Sequence, residues 1–305
     1  MAELPTFELG DGNKIPAVGF GTFQIPDDEA ERCTALALKV GYKHIDTAEF
    51  YQNEGGIGRA LAASGMARDA VFITTKLDPG AAMWGQTVKT YETTIAACKD
   101  SVAKLGVSCV DLYLIHTPLS GREARIDQYK ALVECQRAGL CRSIGVSNFD
   151  IAHLQELEEA GLPAPAANQI ELHPLCQKPK LLEHMRVKKI LPIAYSSLAP
   201  LSTWRQDYQA FGGSKGEGTK STPAQIGEVA KRVGVSEPRL LLRYAIQKGW
   251  PVLPKSARED RMRENLDLAS FTIPEADMAL LDAMDQDAAY AFGQPGKAFD
   301  PSKVE

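Results

Sequence analysis

The chain has 305 residues, of which 44% are hydrophobic and 24% charged, and it carries a formal net charge of -5. That length fits one large α/β barrel or two smaller domains, with enough apolar residues for a sizeable core. The mildly acidic balance argues against nucleic acid as a partner: the densest basic stretch, Lys255 to Arg263, is interleaved with Glu259 and Asp260, whereas phosphate-backbone binding needs clustered cations.

The chain opens with a predicted hairpin: Thr6-Phe7-Glu8-Leu9, the turn Gly10-Asp11-Gly12-Asn13, then Lys14-Ile15-Pro16-Ala17. Strand-like apolar runs then alternate with helical patterns. Val18–Gly21 precedes a helix over Asp28–Val40, and His44–Asp46 precedes one near Gly56–Ser64. Val71–Thr75 leads to a long helix, Gln86–Leu105, and Asp111–Ile115 to a helix over Ile126–Ala138. Ser143–Val146 leads to Ile151–Ala160, and Ala166–Ile170 to Lys180–Lys188. Ile190–Tyr195 leads, after the Gly-rich polar stretch Pro200–Ser221, to helices over Pro223–Val233 and Pro238–Gln247. Pro251-Val252-Leu253 precedes a last helix, Asp260–Leu268.

Strands that alternate with helices imply a parallel sheet, because each crossover needs a helix to bring the chain back. Eight such units, with no break in composition between them, favour a closed (β/α)8 barrel spanning residues 1–305 as one domain over an open doubly wound sheet. The hairpin is placed to close the barrel's bottom.

Several chemistries find no support. Gly19-Phe20-Gly21-Thr22-Phe23-Gln24 lacks the third glycine of a dinucleotide fingerprint. Gly213 and Gly218 have the outer spacing of a phosphate loop, but Thr219 stands where that loop needs Lys. The cysteines at 33, 98, 109, 135, 141 and 176 form no Cys-x-x-Cys pair, so neither zinc nor another metal is expected, and reduced thiols in a cytoplasmic protein are. The start Met1-Ala2-Glu3-Leu4-Pro5 lacks the features of a secretory signal, and no apolar run is long enough to span a membrane.

In a parallel barrel the reactive groups sit at the carboxyl ends of the strands. Asp46 ends the second predicted strand, Lys76 the third and His116 the fourth; Asn148 follows the fifth, Gln169 lies at the end of the sixth, and Tyr51 lies in the loop after Asp46. Singly, each has a plain structural reading as a cap, a solvated charge or a satisfied polar group. Jointly they suit one task. A free phenol, with a pKa of about 10, is a poor acid at neutral pH. An ammonium beside it favours the phenolate, so Lys76 is expected to lower the Tyr51 pKa while Asp46 holds Lys76. His116 can orient a substrate carbonyl. The set delivers a proton to a carbonyl oxygen but has no hydride, which implies a nicotinamide cofactor.

These residues also carry a resemblance. Gly41-Tyr42-Lys43-His44-Ile45-Asp46-Thr47-Ala48-Glu49-Phe50-Tyr51-Gln52-Asn53-Glu54 is similar to the signature of the aldo-keto reductases. So are Leu105-Gly106-Val107 and Val110 to His116, Ile144 to Phe149, Asn168 to Pro174, and Leu253-Pro254-Lys255-Ser256 through Arg261 to Glu264-Asn265. The likeness runs from the hairpin to the last barrel helix. It implies a catalytic tetrad of Asp46, Tyr51, Lys76 and His116 and NADPH-dependent reduction of an aldehyde or ketone. It implies that Gly21, Thr22 and Asp46 border the cofactor, that Ser147, Asn148 and Gln169 bind the nicotinamide carboxamide, and that Tyr195 stacks on its ring. Ser196 and Leu198 fall at the pyrophosphate, Lys255, Ser256 and Arg261 at the adenosine phosphate, and Glu264 and Asn265 at the adenine. Two cations and a hydroxyl at a helix start also suit a 2'-phosphate on physical grounds, which favours NADPH over NADH.

The sequence departs from the family where Thr117 and Phe23 replace frequent Trp residues and Ser197 replaces a Pro. Phe23, Phe50, Trp84 and Thr117 are the candidate pocket walls, and the tail from Tyr290-Ala291-Phe292-Gly293 is a candidate cover. Trp204 and Trp250 read as packing residues. A monomer or weak dimer with a small carbonyl substrate is expected. A nucleotide sensor without turnover, or a structural protein on a reductase fold, are the other classes; the intact tetrad argues against both.

Overall fold

A computed structural model describes residues 4–201, 224–286, 291, 293–294 and 297–298. After the antiparallel hairpin of β1 (Thr6–Glu8) and β2 (Lys14–Pro16), strands and helices alternate. In order they are β3 (Phe20–Gly21), α1 (Asp27–Val40), β4 (His44–Asp46), α2 (Glu54–Ser64), β5 (Phe72–Leu77), α3 (Tyr91–Lys104), β6 (Val110–Ile115), α4 (Arg122–Arg137), β7 (Cys141–Ser147), α5 (Ile151–Glu159), β8 (Ala167–Glu171), α6 (Pro179–Val187) and β9 (Leu191–Tyr195). Helices α7 (Ala224–Val233), α8 (Glu237–Gln247), α9 (Glu259–Leu266) and α10 (Glu275–Asp282) follow.

Strands β3 to β9 lie side by side in chain order, each pair parallel. The eighth position, expected as a strand over Pro251–Leu253, is one residue deep: Val252 bridges Val18 on one side and Ala194 on the other. The bonds Gly19 N–H to Val252 O (2.8 Å), Val252 N–H to Ala17 O (2.8 Å) and Ala194 N–H to Pro251 O (2.8 Å) close the ring. The fold is the (β/α)8 barrel with an N-terminal hairpin. Prolines at 251 and 254 leave this segment few amides for a longer ladder.

The strand period of two sorts the side chains. Tyr113 and Ile115 join the large cluster between sheet and helices, while Leu112 and Leu114 face inward with Ala167 and Ile193. Leu9 and Ile15 of the hairpin belong to this inner cluster, so the hairpin plugs one end of the barrel as expected. Gly10 lies so close that a Cβ there would stand 2.3 Å from the Lys189 carbonyl oxygen, and its N–H donates to Ala166 O at 2.9 Å.

Three helices depart from the sequence reading, α4 by beginning at Arg122 rather than Ile126. Helix α3 begins at Tyr91 rather than Gln86, because Thr90 caps it: the Thr90 hydroxyl accepts from the Thr93 N–H, and the Thr93 hydroxyl accepts from the Thr90 N–H. Helix α10 was not expected; Pro274 and the acidic residues Glu275 and Asp277 mark its start. Trp250 is buried and meets Tyr244 edge-on at 6.0 Å, which fits its packing role. Trp204 and the loop beyond Leu201 lie outside the described residues, as does most of the tail. Among the described residues no helix is long and apolar enough to cross a membrane.

Candidate active site

The same period of two builds the polar end of the barrel. Leu114 faces inward, and its register partner on β5 is Lys76. Asp46 pairs with Thr74 on that strand, two residues before Lys76. Strand β5 runs one residue past Lys76, to Leu77, so Lys76 stands at its carboxyl end as expected. Its Nζ is fully buried and donates to Asp46 Oδ1 at 2.6 Å and to the Thr47 carbonyl at 2.7 Å. The other Asp46 oxygen accepts from Gln169 Nε2 at 2.8 Å. Burial works against both charges, raising the Asp46 pKa and lowering that of Lys76, while each partner's charge opposes the shift.

Tyr51 ends a single helical turn, Glu49–Tyr51, directly after β4. The Lys76 ammonium stands 5.1 Å from the centre of the half-buried phenol ring. The His116 ring is 5.5 Å from Tyr51, edge to face. Phe23 lies 5.1 Å from Tyr51, and Phe50 lies 6.2 Å from His116 and is 40% exposed. Thr117 follows His116, half-buried, and Trp84 closes the turn after β5 at 45% exposure.

The electrostatics differ from the sequence expectation at Tyr51. Its phenol is held well above the ordinary tyrosine value, first by the protein packed around it and then by the Asp46 charge. Two of the three Lys76 donors go to Asp46 and Thr47, and the Asp46 charge offsets that of the ammonium in the resting site. Burial, aided by Lys76, pushes the His116 imidazole down to about 3. At neutral pH the site therefore holds a protonated phenol beside a neutral imidazole.

A second polar group joins the first. Ser147 Oγ donates to the Gln169 carbonyl at 2.8 Å. Asn148 Nδ2 donates to the His116 carbonyl at 3.0 Å and to Ser147 Oγ at 3.1 Å, and Asn148 Oδ1 accepts from the Tyr195 hydroxyl at 2.6 Å. Asn148 and Ser196 have left-handed backbones, with φ of 63° and 52°, a region uncommon for residues other than glycine. Leu198 packs on the main core, partly buried. Thr22 donates from both its hydroxyl and its N–H to the Asp46 carbonyl, and Gly21 N–H donates to Pro254 O.

Beyond the eighth barrel position, Lys255 is exposed and Ser256 is buried, its hydroxyl accepting from the Arg258 N–H at 3.1 Å. Lys255 and Arg261 form no ion pair among the described residues, whereas the adjacent Arg258 and Arg263 pair with Asp260 and Glu259. Unpaired cations flanking the first turn of α9 leave a site for an anion. The Glu264 carboxylate accepts from the Ser236 hydroxyl, and Asn265 is buried against the Tyr42 hydroxyl.

Sequence reasoning passed over Thr47, Asn53 and Glu54 as functional groups, although all three stand in the quoted signature. Thr47 acts through its main-chain oxygen, which no residue type announces. Glu54 is a buried carboxylate, which the sequence shows only as an acidic residue opening a helix.

The fold is thus a closed parallel barrel with a buried Lys–Asp pair, a phenol and an imidazole at one end. Residues 17–286 match the profile of the aldo/keto reductase family, and the chain belongs to that family. It is 38% identical over 281 residues to an aldo-keto reductase of Mycobacterium sp. (strain KMS), covering 92% of this chain and 93% of the relative. It is 35% identical over 287 residues to the methylglyoxal reductase DkgA of Escherichia coli (strain K12), covering 94% and 95%. Among solved structures, an aldo-keto reductase of Bombyx mori in complex with NADP superposes with a TM-score of 0.82 at 28% identity, covering 95% of each chain.

Proposed function

We propose that this chain, as one domain acting alone, reduces an aldehyde or ketone to the alcohol with NADPH, taking the proton from Tyr51. The observation that carries this reading is the placement of the Lys76 ammonium 5.1 Å from the Tyr51 ring, with His116 5.5 Å away on an edge-to-face contact.

The cofactor supplies the hydride that adds to the carbonyl carbon. The chain's residues do the rest. His116, neutral at working pH, orients the carbonyl oxygen. Tyr51 gives that oxygen its proton and becomes a phenolate, then regains a proton from solvent. A phenol with a high resting pKa stays protonated until charge builds on the substrate oxygen, and the Lys76 ammonium then steadies the phenolate as it forms. Asp46 keeps Lys76 charged and in place. Ser147, Asn148 and Gln169 fit an amide ligand, because they already form one hydrogen-bonded set on two adjacent strands, β7 and β8. Tyr195, Ser196, Leu198, Gly21 and Thr22 would border the rest of the cofactor. Lys255, Ser256 and Arg261 suit the 2'-phosphate, with Glu264 and Asn265 beside the adenine.

Phe23, Phe50, Trp84 and Thr117 form the walls, and the relative named a methylglyoxal reductase makes small 2-oxoaldehydes the first compounds to test. The test is NADPH consumption across aldehydes, ketones and sugars, with NADH as control. Turnover with NADPH on at least one class supports the reading; tight NADPH binding without oxidation of any would overturn it.

A further inference from the structure

Tyr51 and Lys76 come from different elements, so their spacing must be set by contacts between those elements. The contacts form a closed circuit. Lys76 Nζ donates to the Thr47 carbonyl at 2.7 Å, and the Thr47 hydroxyl donates to Asn53 Oδ1 at 2.7 Å. Asn53 Nδ2 is itself fixed on the carbonyls of Thr22 and Ile25, at 3.0 and 2.8 Å. The next residue, Glu54, opens α2 and is 2% exposed. Its Oε1 accepts from Thr75 Oγ1 at 2.5 Å, and its Oε2 from Ser101 Oγ of α3 at 3.2 Å. Thr75 immediately precedes Lys76, which completes the loop. Tyr51 hangs on the segment between Thr47 and Asn53, inside it.

We propose that Glu54 is a positioning residue for the proton-transfer pair: its buried carboxylate pins the segment carrying Tyr51 to the strand carrying Lys76 and adds a second negative charge behind the ammonium. The inference rests on the roles given above to Tyr51 and Lys76.

A purely structural pin would not need an acid. One amide oxygen, with two lone pairs, could accept both hydroxyl bonds without the cost of burying a charge. The charge has a recipient in Lys76, where Glu54 acts in the same direction as Asp46 and against burial. Facing Lys76 are Asp46 and His44 from β4, Tyr51 from its turn, Glu54 from α2 and His116 directly after β6. Both imidazoles are pushed down to about 3 and stay neutral, which leaves the two carboxylates as the countercharges. Burial raises the Glu54 pKa; the hydrogen bonds from Thr75 and Ser101 and the charge of Lys104 on α3 favour its ionisation, and Glu49 opposes it.

The experiment compares Glu54→Gln and Thr75→Val in the full chain with NADPH. Glu54→Gln removes the charge. It is expected to bind NADPH as before, to lose about ten- to a hundredfold in kcat as the pair loosens, and to move the alkaline limb of kcat/KM to lower pH, since Lys76 loses its proton more easily. Thr75→Val cuts the bond but leaves the charge; kcat falls while the alkaline limb stays. A readout independent of turnover is the Lys76 resonance in isotope-labelled lysine NMR, assigned by its loss in Lys76→Met. It should titrate at lower pH in Glu54→Gln, and it reports even if the protein reduces no carbonyl offered to it. Wild-type kcat in Thr75→Val, or an unmoved Lys76 titration in Glu54→Gln, overturns the proposal; if Glu54→Gln does not fold, Thr75→Val decides.

Discussion

Lys76 and Asp46 meet as an ion pair inside the barrel, 2.6 Å apart, with no exposure of the lysine side chain. Such a pair is stable as a unit and costly to halve, because removing one partner leaves the other charge buried without compensation. Lys76→Met should therefore lower the unfolding free energy by about 3–5 kcal/mol, and the double variant Lys76→Met with Asp46→Asn by clearly less. Urea titrations of the three proteins make the comparison. Equal losses in the single and double variants would mean that the two charges do not depend on each other.

Tyr51→Phe removes only the hydroxyl. The ring contacts with Phe23 and His116, at 5.1 and 5.5 Å, need no oxygen and should persist. Turnover should fall by about a hundred- to ten-thousandfold, the usual worth of a positioned acid, while NADPH binding measured by fluorescence titration stays as in the wild type. Retained turnover would remove Tyr51 as the proton donor.

The alternation of apolar runs and helical patterns made seven strands legible, even where the ladder is short, as in β3 with two residues and β4 with three. The eighth was legible as a run but not in its extent: Val252 closes the ring through single main-chain bonds that depend on its neighbours' geometry. Among site residues, strand-end placement pointed to Asp46, Lys76 and His116 by side-chain type. The direction of the Tyr51 shift was not readable, since it depends on burial and on Asp46 rather than on the nearest cation alone. The Thr47 carbonyl and the Glu54 carboxylate escaped for a related reason: one is a main-chain atom, and the other's burial arises only when α2, α3 and β5 pack together.

The phosphate end makes a separate prediction. Lys255 and Arg261 are exposed cations without ion-pair partners among the described residues. A hydrogen bond to a charged group is worth about 1.5–3 kcal/mol, so Arg261→Ala should weaken NADPH binding by about ten- to a hundredfold. NADH, which lacks the 2'-phosphate, should bind nearly as before. Equal weakening of both cofactors would place Arg261 elsewhere than at that phosphate.

Acid stability gives the last test. His44 is fully buried in the barrel, its Nε2 2.9 Å from the Thr74 hydroxyl, and burial, aided by the Lys76 charge, pushes its imidazole from 6.5 down to about 3. The unfolded chain takes up this proton below about pH 6.5, while the native protein refuses it until about 3. The group's contribution is thus complete above pH 6.5 and is lost as pH falls through that window, by up to about 1.4 kcal/mol per pH unit. His116 acts in the same direction. Asp46 and Glu54 act oppositely, since their raised carboxyls accept protons in the native state before the unfolded chain does. The wild-type slope is a sum of these terms, so a difference between proteins isolates one. His44→Gln should be less stable than wild type at pH 7 but should lose about 2 kcal/mol less between pH 6.5 and 5, read from urea midpoints at each pH. Parallel losses in the two proteins would show that the native barrel accepts a proton on His44 as readily as the unfolded chain does.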